Sequence, residues 1–264
     1  MEIYNLNNSS ILLDGKPLSW YNLNTSLHTF TTNGTMVIPY NTQSIDYLIV
    51  GGGGSGGSVY FWGQPYCAGA GGAGGLLTGT ILNPSAGSYP VVIGAGGTKP
   101  SINYEGNNGG NSSFYSLTAI GGGRGSVIIE GNILSPGAGG NGGGGYYRPT
   151  PEYGNGNTGT AGQGNDGGNA GIVNSVGCSG GGGGKSSAGQ AYYGGTGYTS
   201  SISGSAVVYS TGGDGVNYVT SNFNGYDGLD NTGDGGDGSR SYSAISYGGA
   251  GGSGIVILRI NYYS

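Results

Sequence analysis

The apolar residues of this chain fall in short runs that are rich in β-branched and aromatic types and are closed by glycine, proline or asparagine, a pattern that predicts strands. His28-Thr29-Phe30-Thr31 and Thr35-Met36-Val37-Ile38 flank Asn33-Gly34, a dipeptide that predicts a hairpin. Ile45 to Val50 runs directly into Gly51. Further strands are expected at Leu76 to Leu82, Tyr89 to Ile93, Ser113 to Ile120, Ser126 to Ile129 and Gly254 to Ile260. The closing run, Ile255 to Ile260, has the apolar character of Tyr47 to Val50, so the two are expected to pair and close one domain. Apolar spacings of three and four are missing, and glycine costs about 1 kcal/mol per helical position relative to alanine, so no substantial α-helix is expected.

Met1 to Leu27 differs from the rest. It is rich in asparagine and leucine, carries Trp20, and holds the turn signal Asp14-Gly15. Residues 1–27 are therefore expected to form an attachment or capping segment, and residues 28–264 a glycine-rich domain.

Between the strands the glycines recur every third residue. Gly156, Gly159, Gly162, Gly168 and Gly171 share one phase, and Gly177, Gly180 and Gly183 continue it beyond Asn174. Three residues per turn is the repeat of the extended left-handed polyproline II helix, which has no internal hydrogen bonds. Its N–H and C=O groups must find partners in neighbouring chains, and a residue without Cβ lets backbones come close enough to provide them. The expected fold is all-β and irregular: short strands framing a packed array of polyglycine II helices.

Composition supports a folded chain with an unusual interior. Glycine accounts for 67 of 264 residues, and only 34% of the chain is apolar, too little for a core of packed helices. Disorder goes with high charge and few aromatics, whereas this chain has 22 tyrosines and 7% charged residues. The strict Gly-X-Y repeat of collagen is broken repeatedly. The net charge is −5 and the basic residues are scattered singly, which argues against nucleic acid and anionic lipid as partners. No apolar stretch is long enough to span a bilayer, and Ile11-Leu12-Leu13 is too short for a signal peptide core, so neither membrane insertion nor an export signal is expected.

Little in the chain suggests catalysis. G-x-G-x-x-G matches arise by chance at this glycine content, and Gly180 to Gly184 followed by Lys185-Ser186 lacks the first glycine and the strand-loop-helix setting of a phosphate loop. His28, the only histidine, stands in a strand-like run without a serine, cysteine or carboxylate arranged beside it. The expectation is a protein that is not an enzyme and has no cofactor. Asp214, Asp227, Asp230, Asp234 and Asp237 form the one acidic cluster. Their spacing matches no known calcium loop, so they are expected to be solvated turn residues, with Asp227, Asp230, Asp234 and Asp237 the weak alternative as calcium ligands. Cys67 and Cys178 leave two outcomes open, a bridge in an oxidising compartment or two free buried thiols.

The order of elements resembles a known family. Phe30 to Thr35, then Asp46 to Val50 with Gly51 to Gly54, then Gly72-Ala73-Gly74-Gly75-Leu76, Ser88 to Gly97, Gly110 to Phe114 and finally Gly251 to Ile257 are similar to the glycine-rich domain of phage tail fibres and virion surface proteins. The glycine-rich composition is also similar to that of tail-fibre tip adhesins of T-even-like phages. That resemblance implies stacked polyglycine II helices whose connecting loops contact a host-cell receptor, either an outer-membrane protein or a glycan. It also implies location at the tip of a virion tail fibre, extracellular in action, with residues 1–27 docking on a fibre shaft protein.

The side chains suited to such contacts are aromatic: Tyr60, Phe61, Trp62 and Tyr66; Tyr146, Tyr147, Arg148 and Tyr153; Tyr192, Tyr193 and Tyr198; and Phe223 with Tyr226. Each group interrupts a glycine-rich stretch. Tyrosine and tryptophan offer large contact area at low conformational cost and keep a polar handle. The competing reading has the same aromatics packed over the glycine array, supplying the interior that glycine cannot. Tyr47, Tyr89 and Tyr115 lie in strand-like runs and are expected to be structural. The functional expectation is a receptor-binding adhesin, with a structural spacer or assembly protein as the alternative.

Overall fold

In the computed structural model, which describes residues 5–6, 10–13, 16–17, 23–60, 64–99, 106–149 and 152–263, the apolar runs build two facing antiparallel sheets. We label their strands β1 (Leu23–Phe30), β2 (Gly34–Ile38), β3 (Thr42–Val50), β4 (Leu76–Leu82), β5 (Gly87–Val92), β6 (Ser112–Phe114), β7 (Leu117–Ala119) and β8 (Ile255–Tyr263). The larger sheet has the order β1-β8-β3-β4 and the smaller the order β7-β6-β5-β2. Alternate residues of the two inner faces, among them Met36, Ile38, Ile45, Ile49, Val91, Phe114, Val256, Leu258 and Ile260, bury one another. The outer face of the larger sheet is also covered: Leu48, Val50, Leu76, Ile255 and Ile257 pack on Tyr209, which belongs to a hairpin of Tyr198–Ser200 with Val207–Tyr209. The expected closure holds, with Ile255 opposite Val50 and Ile257 opposite Leu48. Strand β1 crosses the expected segment boundary at Leu27, pairing from Leu23 opposite Tyr263 to Phe30 opposite Val256.

Two local expectations fail. β1 and β2 do not form a hairpin: β1 pairs with β8 and β2 with β5, so Asn33-Gly34 carries the chain from one sheet to the other. A type I′ turn needs positive φ at both central residues, and neither Asn33 nor Gly34 has it. Asn33 instead accepts a hydrogen bond on Oδ1 from the Ile93 N–H, at 2.8 Å. Ser113 to Ile120, expected as one strand, is the tight β6-β7 hairpin, with Tyr115 at φ +57° in its turn.

No α-helix occurs among the described residues. The glycine-dense segments lie side by side beyond the sheets and are joined backbone to backbone. Along 51–57 the N–H groups of Gly51, Gly54 and Gly57 donate to Gly75, Gly72 and Gly69; those of Gly52 and Ser55 donate to Gly110 and Asn107; and those of Gly53 and Gly56 donate to Gly252 and Gly249. The destinations rotate with a three-residue cycle. The carbonyls of the same segment accept from three other segments, for example through Gly122, Gly236 and Gly97. Segments 68–75 and 180–185 repeat the cycle with their own neighbours. The approach is too close for a side chain: a β-carbon at Gly182 would sit 1.9 Å from the Gly71 carbonyl oxygen, and one at Gly54 2.2 Å from that of Gly123. The run of glycines sharing one phase from Gly156 to Gly183 is not one continuous segment. It turns at Gly162, where φ is +80°, and again through the hairpin of Gly171–Val173 with Val176–Cys178.

Candidate functional site

Where a segment lies at the border of the array, no further backbone remains to accept its N–H groups, and Asp and Asn side chains take over. Asn224, Asp227 and Asp230 accept on Oδ1 from the N–H groups of Tyr247, Ala250 and Ser253 at 2.8, 2.8 and 3.2 Å. Asp234 and Asp237 accept from Thr211 and Asp214, both at 2.8 Å, and Asp214 accepts from Gly194 at 2.7 Å. Asn108 and Asn111, with Arg124 and Gly121, follow the same rule. Donors and acceptors alike recur at three-residue intervals, which is the cycle of the array. The carboxylates of the acidic cluster thus substitute for missing backbone carbonyls. No group of three His, Cys, Asp or Glu able to hold a metal is present among the described residues.

This border also shapes a trough. A recess of about 310 Å³ is lined by Tyr192, Asp214, Asn217, Phe223, Tyr226 and Arg240 among others. It shares Asp214, Tyr226 and Asp237 with a recess of about 270 Å³ that extends past Thr211 to Leu229. On its other side it shares Tyr192 and Asn217 with one of about 200 Å³ that reaches Tyr193. Tyr226 is 72% exposed, Leu229 68% and Tyr193 51%. Phe223 and Tyr226 meet edge to face at 5.5 Å, as do Tyr192 and Tyr193 at 4.9 Å.

The trough is built rigidly. Tyr192 holds φ at +74°, a conformation uncommon for a bulky residue, and is tied on both sides: its N–H donates to Ser179 and its carbonyl accepts from Gly215. Arg240, 7% exposed, organises the wall, with Nε donating to the Ser221 carbonyl, Nη1 to the carbonyl and Oδ1 of Asn217, and Nη2 to Ser221 Oγ. Its guanidinium stands 5.8 Å from the centre of the Phe223 ring. Burial, aided by the neighbouring Asp214 carboxylate, pushes the Asp237 pKa up to about 6, and burial also raises that of Asp234.

The other aromatics named from the sequence are placed differently. Phe61 and Trp62 lie outside the described residues. Tyr60 closes the short strand Val59–Tyr60, opposite Ile129. Tyr66 and Tyr146 pack on Val59, Ala68 and Ile128, with the Arg148 guanidinium 5.8 Å from the centre of each ring. Tyr146 donates to Glu152 at 2.7 Å, and burial, with the Glu152 carboxylate adding to it, pushes its phenol up to about 12. Arg148 pairs with Glu152 at 3.2 Å and also donates to the Gly131 carbonyl. Tyr147 lays its ring over Gly177 and meets Tyr153 and Tyr218, both at 5.6 Å between centroids. Tyr198 packs beneath the larger sheet. These side chains supply interior to a chain short of aliphatic residues, and only Tyr153 of them is widely exposed. The structure therefore gathers Tyr192, Tyr193, Phe223 and Tyr226 into one site and leaves the Tyr146 group as packing. Arg240 and Asn217 were not singled out from the sequence; the signal for Arg240 is a lone cation in an uncharged serine-rich stretch.

Cys67 and Cys178 are both free and buried, so the bridge left open above is not formed. Tyr147, the cross-strand neighbour of Cys67, lays its ring over Gly177, the residue before Cys178. Ser26 Oγ lies 3.1 Å from His28 Nε2, contrary to the expectation of no serine beside it. The two are two residues apart on one strand, opposite the apolar Ile260 and Leu258. The N–H groups of Gly180 to Gly184 all donate to backbone carbonyls, so they cannot cradle a phosphate.

A β-framed array of backbone-bonded glycine segments with an aromatic and acidic trough at its border defines a class of glycine-rich scaffold. The chain belongs to the glycine-rich domain family, whose model matches residues 28–261. No curated protein is similar enough to the chain to count as a relative.

Proposed function

We propose that this chain is a receptor-binding adhesin of the kind carried at the tip of a phage tail fibre, built on an array of polyglycine II helices. The three-residue rotation of hydrogen-bond destinations supports the helix assignment, because a threefold extended helix directs successive N–H groups to three different neighbours. The single observation that carries the adhesion reading is the trough at Tyr192, Phe223 and Tyr226, where Tyr226 stands exposed beside the half-buried rings of Tyr192 and Phe223 on a backbone that the array holds fixed. Recognition residues are commonly presented in this way, on connecting segments positioned by a rigid scaffold. Preorganisation lowers the ordering cost of binding, which suits reversible attachment. In this reading residues 1–27 join a fibre shaft protein, and the receptor is a molecule of the host-cell surface.

The test is binding of the purified, labelled protein to a panel of bacterial cells. The expected result is saturable binding to some strains, weakened at least tenfold by Tyr226→Ala and unchanged by Tyr153→Ala, with both variants matching the parent in thermal unfolding. Failure to bind any strain would overturn the adhesion reading and favour a structural spacer.

A further inference from the structure

We infer that the trough from Tyr193 to Leu229 takes a neutral, hydroxyl-rich glycan, with the exposed ring of Tyr226 and the half-buried ring of Phe223 as its stacking surface. This rests on the adhesion reading and names the receptor's chemistry. Three adjoining recesses, sharing Tyr192 with Asn217 and then Asp214 with Tyr226 and Asp237, form one continuous channel with room for more than one sugar unit. A protein partner would want a broad apolar centre depleted of charge, whereas this channel is glycine-walled and rimmed by carboxylates.

The chemistry of the lining favours hydroxyl donors. Each carboxylate of Asp214, Asp234 and Asp237 is anchored by a backbone N–H on one oxygen. A carboxylate offers about four lone-pair sites, so anchoring orients it while leaving acceptor capacity. Asn217, Thr196 and Thr211 add polar groups along the same line. Aromatic faces complement the C–H faces of pyranose rings by apolar burial, and their orientation here is set by edge-to-face contacts.

Charge selects against anionic sugars. Asp214, Asp227, Asp234 and Asp237 line the channel, and its one lining cation, Arg240, is buried and already directed to Asn217 and Ser221. Lys99, on the flank, pairs with Asp227 at 3.2 Å. Sialylated, uronate-bearing or phosphorylated glycans would meet like charge along the channel, while neutral hexoses would not.

The experiment has two arms. In the first, the full chain is applied to densely displayed gluco-, galacto- and manno-configured trisaccharides and to sialylated and uronate counterparts. The expected result is binding to at least one neutral sugar and none to the anionic ones, reduced at least tenfold by Tyr226→Ala and largely kept by Tyr153→Ala. Preference for anionic sugars, or indifference to Tyr226→Ala, would overturn the inference. In the second arm, cells that the protein binds are treated with periodate or with protease. Loss after periodate and survival after protease is expected. The reverse would overturn the glycan inference and leave adhesion standing, whereas absence of binding to any untreated cell would remove the adhesion reading itself.

Discussion

Asp237 shows how one residue serves two demands. Its carboxylate accepts the Asp214 N–H at the border of the array, yet it is half-buried beside another carboxylate, and its folded pKa is raised to about 6 from an ordinary value of 3.8. A raised carboxylate pKa means the folded state binds the proton more tightly than the unfolded chain. This contribution to stability is therefore fully present below about pH 4 and is lost as pH rises through about 6. Asp237→Asn keeps a carbonyl acceptor and removes the charge. It should raise the melting temperature at pH 7 to 8 and flatten the dependence between pH 4 and 6, as thermal unfolding across that range would show. The spacing of Asn224, Asp227 and Asp230 was visible in the sequence, but their role was not, because a capping acceptor is defined by the distant N–H it meets.

At the level of the element, the glycine segment replaces the packed helix or strand as the unit of the interior. Its stability comes from backbone hydrogen bonds in several directions, each of which requires the neighbour to lie where a β-carbon would otherwise be. Gly182→Ala would force that carbon onto the Gly71 carbonyl, and the cost should exceed about 4 kcal/mol, within the exceptional range for a point change. Gly79→Ala is the control: in exposed β4 the new methyl meets the Tyr47 hydroxyl at 2.8 Å, a side-chain tip that can swing away, and stability should change by less than about 1 kcal/mol. Chemical denaturation of the two variants checks this contrast. The strands themselves were largely legible, with Leu76–Leu82 matching to the residue and β3 and β8 close to expectation. The β1-β2 hairpin was not, because Asn33-Gly34 specifies a reversal only when its backbone adopts positive φ, and here the second sheet draws β2 away to β5.

Over the whole molecule, the sheets and the array form one hydrogen-bonded body, since β3 leads without a break into 51–57 and β8 leaves from 249–254. The central glycine amides should therefore exchange with solvent only through global unfolding, more slowly than the amides of exposed β4, in a hydrogen-exchange time course. The two cysteines report the same opening. Burial pushes both thiols above their ordinary pKa, so neither should react with a thiol reagent at pH 8 in the native state, and both should react once the protein is denatured.

What the sequence determined by itself is the kind of interior: too little aliphatic surface for a core of packed helices, a three-residue glycine rhythm that leaves room only for backbone, and apolar runs of strand length at both ends. These follow from local chemistry, from which residues lack a Cβ and which can cover a sheet. Only the tertiary structure decided which aromatics face outward. Tyr146 and Tyr226 are alike in sequence, each beside glycine, yet one packs over Ile128 and the other stands at the border of the array. That difference depends on which segments lie outermost, a property of how distant glycine stretches are ordered in space, and no neighbouring residue encodes it.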